Sequence, residues 1–218
     1  MRTIGMLAVM LTTAGTLSAQ SVESGRAGAR EVLPRTLEMD LARSAAPPTV
    51  SQEATVLLWN GNGFDVGHEG SNGVTCYVAR SWPDSLEPHC FDEEGARTIL
   101  PIHLRQMELW DQGKSGEEIE AVVAEGLRTG EFRLPSRPVI SYMMSAGQEL
   151  ISDEGQPAGA WRPHLMIYFP YLSEEAIGLS GPPSPEAAMI VDPGTPLSNI
   201  LVVVDDFATV TAESTVRR

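Results

Sequence analysis

A chain of 218 residues with 42% hydrophobic composition is long enough to bury a core, and 29 acidic against 15 basic residues leave it a net charge of −14. That charge repels phosphate backbones and anionic lipid, so it argues against a nucleic-acid partner. With two cysteines and four histidines, and without an HExxH, CxxCH or P-loop pattern, no motif with a known mechanism is present.

The chain opens with Arg2, an apolar run from Ile4 to Leu11 and the small-residue tail Thr16-Leu17-Ser18-Ala19, which reads as a secretory signal peptide over residues 1–19 cleaved after Ala19. The run is shorter than the about 20 apolar residues a membrane helix needs, and no later segment qualifies, so no membrane span is expected after its removal. The expected location is the periplasm or the extracellular space. Residues 20–48 read as a flexible tail ending in a short helix from Arg35 to Ala45, with Leu37 and Leu41 on one face and Pro47-Pro48 ending it.

Residues 49–210 read as one α+β domain and 211–218 as a frayed tail. The runs Ala54–Trp59 and Val74–Ala79 have strand composition and suggest an antiparallel pair around a Gly-rich loop, with Asn60-Gly61 and Asn62-Gly63 able to reverse the chain earlier. From Asp92 to Gln112, Ala96, Ile99, Leu100, His103, Met107 and Trp110 recur at helical spacing, with Pro101 marking a kink or a fresh start. A second helix has a capping box in Ser115 and Glu118, an apolar face in Ile119, Val122, Val123 and Leu127, and a stop at Gly130. The runs at 139–144, 164–169, 187–191 and 199–204 read as strands, and the residues after Ala208 as a last edge strand. Strands, then helices, then strands without βαβ alternation predict a largely antiparallel sheet with a helical hairpin between its early and late strands.

Cys76 and Cys90 are an isolated pair in a chain that reads as exported, and a disulfide is the expected use. A catalytic thiol at Cys90 is the rival reading, but His89 beside it points the other way on an extended chain. His103 lies on the apolar helix face and reads as a hydrogen-bonded core residue; His68 reads as exposed. His164, next to Trp161, and His89 are the better candidates. With Asp92 or Glu87 they would supply the nitrogen and carboxylate donors that zinc or copper takes, although no ligand spacing supports a metal and no cofactor is expected. Ser141 and Ser145 are the hydroxyls a hydrolase would pair with His164, without a nucleophile-elbow motif around either. Met143, Met144 and Met166 suit either a soft apolar pocket or ordinary core filling.

The segments Leu41-Ala-Arg-Ser-Ala-Ala-Pro47, Gly73-Val-Thr-Cys76, Ala96-Arg-Thr-Ile-Leu-Pro101, Tyr142-Met-Met-Ser145 and Trp161-Arg-Pro-His-Leu-Met166 together resemble a group of exported bacterial proteins with no assigned activity. The resemblance spans about residues 37 to 205; it implies one exported domain and transfers no catalytic residue. Because catalytic sites often leave a motif and none is visible, the expected function is binding of a ligand or of an envelope protein, or an accessory envelope role, with a hydrolase or a metal-binding protein using His164 and His89 as the alternative.

Overall fold

The computed structural model describes residues 30–81, 85–151, 157–159, 161–178 and 188–208. The expected signal peptide and the expected edge strand after Ala208 lie outside them. In chain order the elements are α1 (Arg35–Arg43), α2 (Pro48–Ser51), β1 (Thr55–Trp59), β2 (Phe64–His68), β3 (Thr75–Ala79), β4 (Glu87–Phe91), α3 (Glu93–Asp111), α4 (Gly116–Thr129), β5 (Val139–Met143), β6 (Leu150–Ile151), β7 (Pro157–Gly159), β8 (His164–Tyr168), α5 (Glu174–Ile177), β9 (Met189–Val191) and β10 (Asn199–Val203). Eight strands form one sheet in the order β2-β1-β3-β4-β5-β8-β10-β9, and β6 and β7 make a separate ribbon. The fold is α+β, with the helical hairpin between early and late strands.

Local chemistry sets the helix ends. Asp92 caps α3, its Oδ1 accepting the Gly95 N–H at 2.8 Å, and Glu93 and Glu94 follow in the first turn, where acids meet the positive end of the helix dipole. The α4 capping box forms as expected, and Gly130 ends that helix at φ 82°. Pro101 sits inside α3 without dividing it. α1 stops at Arg43, short of the expected Ala45 and before the Pro47-Pro48 pair, and Pro48 opens α2, because a fixed φ and a missing N–H cost nothing at the first helical position.

The pairing of the early strands differs from the expected hairpin. The Asn60–Gly63 turn, closed by the Asn60 N–H on the Gly63 carbonyl at 3.0 Å, reverses the chain at once into β2, which lies antiparallel to β1. β3 then pairs with the other edge of β1 in parallel, placing Thr55 opposite Thr75 and Val56 opposite Cys76. Every other ladder in the sheet is antiparallel, including that of β3 with β4, a strand the sequence reading passed over.

The sheet buries both faces near its centre. Against one face α1 sets Ala42, with Ala45 and Ala46 beyond it, on Val56, Leu58, Cys76, Val78 and Cys90. Against the other, Ile99, Leu100 and Met107 of α3 pack on Tyr77, Phe91, Val139 and Tyr168. Ile102 joins Val123 and Phe132 to hold α4 on α3. The approach of α3 is set by Gly95, where a Cβ would lie 2.5 Å from Val139 Cγ1 and 2.8 Å from Phe91 Cδ1.

Cys76 and Cys90 face each other across β3 and β4 and are bonded, with Cα atoms 4.0 Å apart. No cysteine is free, so the catalytic-thiol reading lapses. Among the described residues no helix is long and apolar enough to cross a membrane.

Candidate functional site

α3 packs on β3, β4 and β5, but the sheet runs on through β8, β10 and β9. Where the helical layer stops, a cleft of about 510 Å³ opens between α3 and the bare part of the sheet. Strand alternation selects what reaches it. His164, Met166 and Tyr168 are two apart on β8, and register places Met143 opposite His164 and Leu201 opposite Met166. Glu87 and His89 of β4 share this face with Tyr77 and Ala79. His103, Gln106, Met107 and Trp110 of α3 form the facing wall.

Three imidazoles therefore meet in one cleft. His103 stands between two tyrosines, its Nδ1 3.3 Å from the Tyr77 hydroxyl and its Nε2 3.4 Å from that of Tyr168. A neutral ring has one N–H and one lone pair, so one tyrosine donates to it and the other accepts from it. Burial pushes the pKa of His103 down to about 4 and raises both phenols. His89 is held well below its ordinary value, by burial first and then by the neighbouring His103 and His164. Burial lowers His164 as well, against its hydrogen bond to a carbonyl.

His164 has a defined tautomer. Its Nδ1 lies 2.6 Å from the carbonyl oxygen of Arg162, which can only accept, so Nδ1 carries the hydrogen and Nε2 keeps its lone pair. The ring is set edge to face with Trp161 at 6.1 Å between centroids. Glu87 is the buried carboxylate of the cleft; burial raises its pKa, and the N–H and hydroxyl of Ser81 donate to it at 3.0 and 3.1 Å. Asn199, at the cleft floor, donates to the Leu197 carbonyl at 3.2 Å, which leaves its Oδ1 buried and unpartnered.

The sequence candidates thus separate. His89 and His164 come together, as the metal and hydrolase readings require. Asp92 does not join them: it stays at the far end of β4, capping α3 and pairing with Arg137 at 2.9 Å. Among the described residues no group of three or more His, Cys, Asp or Glu side chains is arranged to hold a metal ion. Ser141 lies by His89 and not by His164, its Oγ 3.3 Å from His89 Nδ1, and it is fully buried outside the cleft lining, where no substrate carbonyl reaches it. Ser145 points to the other side, 2.5 Å from Ser44 Oγ. Comparison with protein-family models, curated proteins and solved structures returns no match.

Three contributors escaped the sequence reading. His103, set aside as a core residue, is hydrogen-bonded as expected and also forms cleft wall. Its spacing with Met107 and Trp110, four and then three residues apart, marks one helix stripe, but not that the stripe outruns the strands beneath it. Met189 and Leu201 belong to β9 and β10, late strands whose place beyond β8 depends on topology alone. A wider depression of about 820 Å³ lies by the β1–β2 turn; Arg30 at its base is spent on Asp111 Oδ1 at 2.6 Å and on the carbonyls of Arg80 and Met107.

Proposed function

We propose that this chain is an exported binding domain and that the cleft between α3 and β8, β10 and β9 takes a small, mainly apolar, uncharged or cationic molecule. The observation that carries this reading is the cleft lining: methionine, tryptophan, tyrosine and leucine side chains with a few convergent polar groups, and among the described lining residues no lysine or arginine. Its volume falls within the about 300–1,000 Å³ usual for small-ligand sites. An anion would meet Glu87 and Asp192 with no lysine or arginine among the described lining residues to offset them, in a chain already at −14. The leader-like first residues and the disulfide are compatible with an oxidising compartment. Hydrolysis is less well supported, because the serine that meets a histidine, Ser141, is sealed beneath the cleft.

The test is fluorescence titration with the neutral apolar dye N-phenylnaphthylamine, run on the mature chain and on Leu201→Trp, which puts an indole into the cleft. Saturable binding by the parent and its loss in a folded Leu201→Trp variant are expected. Equal binding by both would overturn the assignment of the cleft.

A further inference from the structure

The cleft floor combines donors of one chemical character. Met143 and His164 are directly opposed across β5 and β8, a position that brings Cβ atoms to about 5 Å, and Met166 is the next residue on the same face. Met143 and His164 are 4% and 3% exposed, and both, with Met166, line the cleft. The Tyr168 hydroxyl donates to Met166 Sδ at 3.8 Å, which leaves the thioether a second lone pair. His164 shows the arrangement common to metal-bound imidazoles: one ring nitrogen tied to a backbone carbonyl, the other free of hydrogen and without a hydrogen bond among the described residues.

We propose that Met143 Sδ, Met166 Sδ and His164 Nε2 form a site for a soft monovalent cation, Cu(I) in the protein's own setting and Ag(I) as its stand-in. Thioethers select soft ions, and imidazole accepts them equally. Charge argues the same way. The three donors are neutral, so they offset none of an ion's charge, and the cost of moving an ion into a low-dielectric cleft grows with the square of that charge. A dication such as zinc is penalised about four times as heavily as a monovalent ion of similar size. Glu87, the one buried carboxylate among the described lining residues, supplies a single balancing charge. His103 takes no part, since both its nitrogens face tyrosine hydroxyls. The site does not depend on an organic molecule occupying the rest of the cleft.

The experiment is titration of the oxidised mature chain with Ag(I) in chloride-free buffer, followed by native mass spectrometry and calorimetry, with Zn(II) in parallel. The disulfide leaves no free thiol to capture the ion. The variants are His164→Ala and the double change Met143→Leu with Met166→Leu, which removes both sulfurs at nearly constant volume. A single Ag(I) per chain, no comparable Zn(II), and binding weakened by at least roughly 100-fold in both variants are expected, the upper end of what even a lost outer-shell partner costs. Because His164→Ala also disturbs the wall, the folded double methionine variant is decisive. Its binding Ag(I) as tightly as the parent, the parent binding none, or Zn(II) outcompeting Ag(I) would each overturn the site. Binding of N-phenylnaphthylamine by the same samples reports separately on the ligand cleft, so the two readings fail independently.

Discussion

His164 gives its Nδ1 hydrogen to the carbonyl of Arg162 at 2.6 Å, so its orientation and tautomer are set by backbone and not by a titrating partner. Burial holds it, His89 and His103 neutral in the folded state.

Acid should therefore destabilise the protein before most carboxylates are protonated. The folded pKa values lie below the unfolded value of 6.5, so the unfolded chain binds more protons between the two. The stabilisation is complete above 6.5 and declines as pH falls, for His103 until about 4. Each imidazole contributes a slope of at most about 1.4 kcal/mol per pH unit in its window. Glu87, with its raised pKa, pulls the other way as a single group. Melting temperature should fall between about pH 7 and about pH 5, and His103→Phe should flatten the slope; an unchanged slope in that variant would remove His103 from the account.

The Cys76–Cys90 bond closes a short loop beneath α1, with Cys90 Sγ 3.6 Å from the Ala42 carbonyl oxygen. On the chain-entropy view such a loop contributes about 3 kcal/mol. Replacing both cysteines by alanine should lower the urea midpoint accordingly, and reductant should then have no further effect. A midpoint equal to the parent's would mean the packing of α1 alone suffices.

Glu38 and Arg80 form an ion pair at 3.1 Å with both side chains 1% exposed, and Glu38 Oε1 also accepts the Trp59 N–H at 3.0 Å. Glu38→Ala leaves a buried guanidinium uncompensated and should cost about 3–5 kcal/mol. Changing both residues to methionine should recover most of that loss. Denaturant melts of the two single variants and the double variant measure the coupling directly.

Gly95→Ala tests whether the approach of α3 sets the cleft. The new methyl meets Val139 and Phe91, so the helix must lift, at about 1–3 kcal/mol for an overpacked core. Dye affinity should change along with stability, because His103 and Trp110 ride on the same helix. A stability loss with unaltered dye affinity would show that the cleft adjusts independently.

Much of the fold is legible in the chain. The Ser115 and Glu118 spacing specifies the start of α4, and the short apolar runs at 139, 164 and 199 form central ladders because their residues fit a pleated, two-sided surface. β4 is harder to see. Its run Glu-Pro-His-Cys-Phe carries a proline in a central strand, where a missing N–H normally argues against pairing. The parallel return of β3 beside β1 is also hidden, because a two-residue turn signal says where the chain reverses and not which edge it later rejoins.

The sequence by itself determined α1, α3, α4 and the strands β1, β3, β5, β8, β9 and β10, the acidic charge, the cysteine pair and the candidacy of His89, His164 and the methionines, since periodicity, capping and residue chemistry act over a few neighbours. Only the tertiary structure decided that His89 and His164 share a cleft with His103, that Glu87 and not Asp92 is its buried carboxylate, and that Ser141 is sealed beneath it. Those outcomes depend on strand order, register and the point at which the helical layer ends. These are long-range pairings, set by the joint burial of many side chains and by no local signal.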